Sequence, residues 1–341
     1  MFMLLFSTAA AVFFDTNGNL MRSAAPSLPR HNAAFLPTYK GLSLVETTEN
    51  GKFQAVLLDD QQARKILEDN HDAIPACLGK AKPGSDMQAR LTSDQSLWML
   101  DLSHMENPAD PESLGAPKNA QWKTIRSGAG GYDILQGLND DDEGALLSTA
   151  RGLALWHRKV TFCSVCGSPT ESRRNGRLRQ CTSEACGERF RPRLDTSIIV
   201  LVTHGDLCLL GRNARWPDGR YSTLSGFVEF GETLEECVQR EVYEESGVQV
   251  RRESIRYIAS QPWLFPRSLM VGFLAEASDT RLLVDENELA DAQWFHRDFV
   301  AERFSRDGPV SESDTFHVPS RVSLAHCLIG RWLQETARGE T

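Results

Sequence analysis

The chain has 341 residues, of which 41% are hydrophobic and 24% charged, and its formal net charge is −9. This length and composition predict two or three globular domains with buried cores and exclude a fibrous or largely disordered chain. The negative charge argues against a protein that binds nucleic acid over its whole surface, because phosphate binding requires a basic face. A local basic patch is compatible with this negative net charge.

The N-terminal segment MFMLLFSTAAAVFF is apolar over 14 residues. A membrane-spanning helix needs about 20 residues, so this segment is too short to cross a bilayer. No Lys or Arg precedes Arg22, which disfavours a cleaved secretory signal. We expect a cytoplasmic protein without a membrane partner, in which this segment forms a first strand or translation begins at Met21.

Residues 1–143 combine short apolar runs, such as FQAVLLD and LWMLDLSH, with turn-rich pieces such as KPGSD. This alternation predicts a small N-terminal α/β or α+β domain. A glycine- and acid-rich connection over residues 127–144 then leads to a helix predicted over residues 145–159. Apolar side chains recur at helical spacing in that helix, and the acidic run before it suits the positive helix start.

Four cysteines follow in the spacing C-x2-C-x14-C-x4-C, formed by Cys163, Cys166, Cys181 and Cys186. Paired cysteine turns direct four thiolates at one point, as tetrahedral Zn²⁺ requires, and four thiolates leave no position for water. The spacing predicts a structural zinc ribbon, which with the preceding helix occupies residues 144–192. Two disulfides are the alternative, which a reduced cytosol disfavours. The other four cysteines are expected to be small buried hydrophobic residues.

Seven arginines lie within or beside this cluster: Arg173, Arg174, Arg177, Arg179, Arg189, Arg191 and Arg193. One interpretation is that they compensate the formal charge of about −2 on zinc with four thiolates. The other is that they guide a phosphate-rich substrate or an RNA end to the protein. The sequence leaves both interpretations open and favours compensation.

Residues 193–341 predict an α/β sandwich, because β-branched runs alternate with helical periodicity. The predicted elements are two strands in residues 196–212, a loop and short strand in 216–227, a loop and helix in 226–248, strands in 251–265, 268–277 and 293–299, and a terminal helix in 322–337.

The helix in residues 226–248 carries an unusual density of glutamate. Glu241, Glu244 and Glu245 stand at i, i+3 and i+4, so their side chains project from one helical face. Carboxylates packed this closely repel one another unless a cation is present, and Mg²⁺ takes such carboxylates together with substrate phosphates. An apolar face suited to the core is formed by Leu234, Val238 and Val242.

Four residues around the triad support this interpretation. Gly226 and Gly231 give the loop freedom to pass close to metal and phosphates. Arg240 can hold a glutamate by a bidentate pair, and Gly247 is expected to end the helix.

The stretch as a whole reads G-x5-E-x7-R-E-U-x-E-E-x-G-U, with U a bulky aliphatic residue, and resembles the Nudix hydrolase box without a departure. Its positions are filled by Gly226, Glu232, Arg240, Glu241, Val242, Glu244, Glu245, Gly247 and Val248. A solvated face is the usual explanation of a glutamate-rich helix, but the full match makes it the weaker one here.

Residues 260–268, SQPWLFPRS, resemble the SQPWPFPxS element of the NADH pyrophosphatase subfamily. A packed turn-rich loop is the alternative. Leu264 stands where the pattern has proline, and Arg191 stands where family members often carry an aromatic residue before Pro-Arg. The order of helix, zinc ribbon, box and terminal helix is also similar to that subfamily.

The resemblance implies hydrolysis of the pyrophosphate of NADH or NAD⁺ to nicotinamide mononucleotide and AMP, with Mg²⁺ or Mn²⁺, in a homodimer. It implies Glu241 and Glu245 as metal ligands, completed by the Ser225 carbonyl and Glu288. Glu244 is implied as a further ligand or as the base for the attacking water. Arg240 belongs to the same catalytic set.

For the substrate, the resemblance implies that Phe227 and Trp263 stack on the rings. Gln261 and Ser268 are implied as polar contacts, and Phe265 belongs to the same element. The 5′ end of NAD-capped RNA is a second candidate substrate. Alternatives are another nucleoside diphosphate derivative, such as ADP-ribose or a dinucleoside polyphosphate, and a non-catalytic zinc-ribbon regulatory protein, which the retained carboxylates disfavour.

Overall fold

The computed structural model describes residues 32–304, apart from 82–83, 93–94, 106–109, 126–134, 136 and 139–140, together with 316–338 and a short strand at Val12–Phe13. That strand, β1, pairs antiparallel with β5 of the N-terminal sheet, so the predicted first strand is present in these two residues. Met21 and the rest of the apolar N-terminal segment lie outside the described residues. So does most of the predicted connection over residues 127–144.

The N-terminal domain is built on a seven-stranded mixed sheet in the order β1-β5-β6-β2-β3-β4, with β7 paired to β3. Strands β2 and β6 are parallel, and the other described pairs are antiparallel. The further strands are β2 (Ala33–Tyr39), β3 (Leu42–Thr47), β4 (Phe53–Ala55), β5 (Ile74–Ala81), β6 (Ser96–Asp101) and β7 (Ala120–Thr124). Its helices are α1 (Asp60–Asp69) and α2 (Asp86–Ala89).

Helix α3 (Asp141–Lys159) confirms the predicted helix and begins four residues earlier than expected. Its apolar stripe, including Leu147, Ala150 and Leu153, shares one hydrophobic core with residues of the N-terminal sheet. A domain boundary at residue 143 would therefore divide this core. We propose that the boundary lies after Lys159, at the start of the zinc ribbon.

The ribbon is a three-stranded antiparallel sheet in the order β10-β9-β8, formed by β8 (Thr170–Arg173), β9 (Leu178–Cys181) and β10 (Arg189–Phe190). The tip of its β8–β9 hairpin packs on strand β5. Asn175 accepts a hydrogen bond from the backbone N–H of Cys77 at 2.8 Å. A Cβ at Gly176 would lie 2.4 Å from the Cβ of Ala76, so only glycine allows this approach.

The C-terminal domain contains a six-stranded sheet in the order β14-β15-β11-β12-β16, with β13 paired to β11. The parallel pair β11–β15 lies at its centre. The strands are β11 (Asp195–His204), β12 (Leu207–Arg212), β13 (Leu224–Phe227), β14 (Arg256–Trp263), β15 (Ser268–Glu276) and β16 (Asp291–His296).

Helix α4 (Leu234–Ser246) covers one face of this sheet, where Val238 and Val242 pack with strand residues. Helices α5 (Arg297–Phe304) and α6 (Leu324–Arg338) cover the other face. The predicted α/β/α sandwich is confirmed.

Two element predictions were partly wrong. The strand predicted over residues 293–299 ends at His296, where α5 begins. The strand predicted over residues 251–265 begins only at Arg256, because a short 3-10 turn occupies Arg252–Ser254. In the part of the chain that is described, no helix has both the length and the hydropathy to span a membrane.

Candidate active site

Helix α4 has sharply defined ends. Thr233 caps its N-terminus in a capping box with Glu236, in which each side chain bonds the other residue's backbone N–H. Gly247 ends the helix in the left-handed region at φ 71°, and its N–H donates to the Tyr243 carbonyl at 2.8 Å. The predicted C-cap is confirmed, and the helix thus holds its carboxylates in a fixed register.

Three carboxylates meet at one point beside this helix. Glu241, Glu245 and Glu288 each offer an oxygen, and these oxygens lie within 4.8 Å of one another. Glu288 comes from the segment between β15 and β16, which is tied to the helix because the Asp285 N–H donates to the Glu245 carbonyl at 3.1 Å. The structure therefore brings together two neighbours on a helix and one acid from a distant loop.

Gly226 on β13 faces this cluster. A Cβ at that position would lie 1.8 Å from Cδ of Glu241 and about as close to both of its carboxylate oxygens. The glycine is needed here for space, because the carboxylate of Glu241 occupies the volume that any other side chain would fill. Ser225 precedes it on the same strand, and its role as a carbonyl ligand stays a prediction.

The cluster is electrostatically strained without a cation. Glu245 is 8% exposed, and its Oε2 has no hydrogen-bond partner among the described residues. Burial, reinforced by the charges of Glu241, Glu288 and Glu244, raises the pKa of Glu245 to about 8. Burial also raises the pKa of Glu241, against the opposing effect of Arg240. A bound cation would offset both the burial of these carboxylates and their mutual repulsion, and so would favour their charged forms.

Arg240 organises the residues around the cluster. Its Nε and Nη2 donate to the two carboxylate oxygens of Glu232 at 2.7 and 2.9 Å, and its Nη1 donates to Glu241 at 2.9 Å. Nη2 also donates to the Phe227 carbonyl at 2.9 Å. The glutamate that Arg240 holds by a bidentate pair is therefore Glu232. The sequence had given Glu232 a place in the box but no role in the site.

Glu244 lies apart from the three-carboxylate cluster. Its side chain is 51% exposed, and its Oε2 accepts from Arg240 Nη1 at 3.0 Å. Glu241, Glu244 and Glu245 share one helical face, but only Glu241 and Glu245 lie close to Glu288 of the opposing loop. The role of Glu244 as a ligand or a base stays a prediction.

The donor set fits a hard divalent cation. All three side chains offer oxygen, which Mg²⁺ and Mn²⁺ prefer, and the buried unpartnered oxygen of Glu245 needs a positive partner. These features distinguish the cluster from an ordinary solvated acidic face.

The SQPWLFPRS element forms the tip of the β14–β15 hairpin, and this tip packs on α3. Arg151 Nη1 donates to the Leu264 carbonyl at 2.8 Å, and its guanidinium lies 5.1 Å from the ring centroid of Phe265. The Phe265 ring packs at 5.4 Å from that of Trp263 in an edge arrangement. Phe265 is buried in the N-terminal core, so the element joins the two domains.

Gln261 and Ser268 are buried rather than open to a ligand. The Gln261 amide donates to the Val322 carbonyl at 2.9 Å and accepts from the Leu324 N–H at 2.8 Å, which fixes the start of α6. The Gln261 amide therefore positions the start of α6, and the substrate contacts of Gln261 and Ser268 stay predictions. Phe227, in contrast, is 58% exposed at the end of β13.

The four ribbon cysteines form the second cluster, with all four sulfurs within 4.8 Å of one another. The sulfurs of Cys166 and Cys181 lie 3.4 Å apart and those of Cys163 and Cys186 lie 3.8 Å apart, and none of the eight cysteines forms a disulfide. These distances exclude the disulfide alternative, since a disulfide requires about 2.05 Å. The arrangement suits a closed tetrahedral Zn²⁺ site.

The seven ribbon arginines divide into three groups. Arg177 donates to the carbonyls of Cys77 and Leu78, and Arg179 donates to Thr170 and contacts the buried ring of His157. Arg173 pairs with Glu171. The remaining four are exposed: Arg174, Arg189, Arg191 and Arg193. Neither predicted interpretation covers Arg177 and Arg179, because they connect the ribbon to α3 and the N-terminal sheet.

Comparison with known proteins matches residues 158–190 to the NADH pyrophosphatase zinc ribbon domain and residues 191–312 to the NUDIX domain. The chain is 41% identical over 252 residues to the NAD-capped RNA hydrolase NudC of Stutzerimonas stutzeri (strain A1501), covering 72% of this chain and 80% of that protein. It is 46% identical over 159 residues to the protein of the same name from Pseudomonas aeruginosa (strain LESB58), covering 47% and 56%.

The chain is also 40% identical over 202 residues to the NAD-capped RNA hydrolase NUDT12 of Homo sapiens, covering 57% of this chain and 42% of that protein. It therefore spans less than half the length of this human relative. The alignment with the Stutzerimonas stutzeri protein runs through most of both chains. The chain belongs to the Nudix hydrolases, in the group that carries an NADH pyrophosphatase zinc ribbon domain.

Proposed function

We propose that this protein hydrolyses the pyrophosphate bond of NADH or NAD⁺ to nicotinamide mononucleotide and AMP, and that it acts in the same way on the 5′ end of NAD-capped RNA. The observation that carries the proposal is the cluster of Glu241, Glu245 and Glu288, in which a buried oxygen of Glu245 has no hydrogen-bond partner in the part of the chain that the structure describes. The zinc ribbon and the names of the relatives favour this substrate class.

In the proposed mechanism, Glu241, Glu245 and Glu288 hold Mg²⁺ or Mn²⁺. When bound there, the cation would supply charge neutralisation at the phosphoryl oxygens and activation of the attacking water. Arg240 keeps the Glu241 carboxylate in place through the 2.9 Å bond, while its pair with Glu232 fixes the guanidinium itself. Glu244, exposed to solvent beside this guanidinium, is our candidate for the general base.

Two aromatic residues are proposed to orient the dinucleotide. Phe227 exposes its ring at the end of β13, immediately after the glycine that faces the carboxylates. Trp263 lies at the end of β14, held by the ring of Phe265. Stacking on two rings would align the diphosphate with the carboxylate cluster, which is the proximity effect that hydrolysis requires.

For capped RNA, we propose that the exposed arginines of the ribbon contact the phosphates. Arg174, Arg189, Arg191 and Arg193 are exposed, whereas Arg177 is bound to backbone carbonyls of the N-terminal sheet. Loss of a phosphate contact should weaken capped RNA turnover more than NADH turnover and reduce its salt dependence. Equal losses on both substrates would show that these arginines do not contribute to RNA binding.

The structural Zn²⁺, the homodimer and the cytoplasmic location also stay proposals. Metal analysis of purified protein should give about one Zn²⁺ per chain, as one closed four-thiolate site binds one ion. Light scattering should give twice the mass of the chain. A monomer with full activity would contradict the proposed homodimer.

The test of the proposed function is a product assay with NADH, NAD⁺ and NAD-capped RNA in the presence of Mg²⁺ or Mn²⁺. We expect nicotinamide mononucleotide and AMP from the dinucleotides, and loss of activity in Glu245→Gln. Cleavage of ADP-ribose or dinucleoside polyphosphates without cleavage of NADH would assign another Nudix specificity. Absence of hydrolysis on all of these substrates would favour the non-catalytic regulatory alternative.

A further inference from the structure

A fully exposed phenylalanine stands in the loop between β13 and α4. Phe230 lies in a tight turn, in which the Glu232 N–H donates to the Glu229 carbonyl at 3.2 Å and Gly231 adopts φ 90°. This is the conformation of a turn with glycine at its third position. Val228, two residues earlier, packs against the core of the domain, so Phe230 is not needed there.

The turn is tied to the catalytic residues. Glu232 Oε2 accepts from the Glu229 N–H at 2.9 Å, and the same carboxylate is held by two bonds from Arg240. Arg240 in turn bonds Glu241 of the carboxylate cluster. The turn that carries Phe230 therefore has a fixed position relative to the cluster, although its ring is in solvent.

An exposed aromatic ring on a rigid turn is the arrangement that a base-stacking site requires, because little conformational freedom is lost when a base binds. Phe227 is closer in sequence to the cluster and is already proposed for a ring of the dinucleotide. Phe230 lies three residues further along the loop and is more exposed. It is thus suited to a group beyond the dinucleotide.

We propose that Phe230 stacks on the first base of the polynucleotide that follows the NAD cap, and so favours capped RNA over the free dinucleotide. This inference rests on the proposed function. Stacking tolerates any base, since every base has a π-face, so the contact would select for a polynucleotide and not for its sequence. Free NADH has no base at this position and would not use the contact.

The test compares Phe230→Ala, Phe230→Leu and Phe230→Tyr with the wild type on NADH and on short NAD-capped RNA. Phe230→Ala should raise KM for capped RNA about tenfold, the change that loss of one stacked base produces, and change kcat/KM for NADH less than about twofold. Phe230→Tyr should retain RNA turnover because its ring also stacks. Phe230→Leu should behave like Phe230→Ala.

The outcomes separate this inference from the proposed function. If the wild type cleaves both substrates and Phe230→Ala loses nothing on RNA, or loses equally on both, the stacking role is wrong and the proposed function stands. Full retention of RNA turnover in Phe230→Leu would also contradict stacking, since leucine supplies bulk without a ring. A wild type that cleaves NADH but not capped RNA overturns the inference and the capped-RNA part of the proposed function, while the proposed hydrolysis of NADH stands. One that cleaves neither overturns the inference and the whole proposed function.

Discussion

Gly226→Ala should disable hydrolysis without unfolding the protein. The new Cβ would lie 1.8 Å from Cδ of Glu241, whereas non-bonded carbon atoms need about 3.5 Å. The Glu241 carboxylate must therefore move by more than about 1.5 Å, because the strand that carries Gly226 is fixed by its pairing with Ile198. That movement breaks the 2.9 Å bond from Arg240 and removes one oxygen from the cluster.

A misplacement of about 1 Å at a reacting centre costs about 100-fold in rate, so we expect kcat/KM for NADH to fall by at least this factor. The assay is steady-state hydrolysis at saturating Mg²⁺, with Mn²⁺ affinity measured in parallel by electron paramagnetic resonance. The affinity should fall as well, because a ligand is displaced. Circular dichroism should remain that of the wild type, since the backbone of Gly226 has no positive φ.

The matched control is Gly152→Ala on helix α3, where a Cβ would meet the Leu264 side chain at an ordinary 3.4 Å. This change should leave activity unaffected and stabilise the helix slightly. If Gly226→Ala kept activity within threefold of the control, Glu241 would not be held where the structure places it. The assignment of the cluster as the reaction centre would then be wrong.

Three further changes test other parts of the structure. Gly176→Ala should destabilise the protein to chemical denaturation by at least about 1 kcal/mol, because its Cβ would contact Ala76 at 2.4 Å and its φ is 81°; unchanged stability would contradict the close contact between ribbon and N-terminal sheet. Burial and Arg179 lower the pKa of His157 to about 3. The folded protein therefore keeps this ring neutral below pH 6.5, where the unfolded chain takes up a proton on it. The stability that depends on this neutral ring is present above pH 6.5 and is lost at about 1.4 kcal/mol per pH unit as the pH falls towards 3. The free energy of unfolding of His157→Asn should therefore fall less steeply over this range than that of the wild type. Parallel curves for the two proteins would refute this. Mg²⁺ should raise the melting temperature of the wild type but not that of Glu245→Gln, and an equal rise in both would place the ion elsewhere.

The local features of the site could be predicted from the sequence. The spacing of Glu241 and Glu245 defines one helical face, and Gly247 defines the end of the helix, since both follow from helical geometry alone. The fold class followed from alternating strand and helix periodicities. The four cysteines could be grouped because two short turns of similar spacing direct sulfur to one point.

Contacts between distant segments could not be predicted in the same way. Helical spacing placed Glu244 beside its neighbours, but the loop that carries Glu288 determines which two of the three join the cluster. The resemblance implied a substrate contact for Gln261, and it gave no sign that the adjacent start of α6 bonds both ends of its amide. Arg177 was grouped with arginines that compensate the zinc site or guide a phosphate-rich substrate, because its carbonyl partner Cys77 lies 100 residues away along the chain.

The most direct test of the central claim is anomalous diffraction from crystals soaked with Mn²⁺ and a non-hydrolysable dinucleotide. We predict a Mn²⁺ peak between the carboxylates of Glu241, Glu245 and Glu288, with the diphosphate of the ligand against it. A map in which this position is empty while the ion and the ligand bind elsewhere would contradict the account.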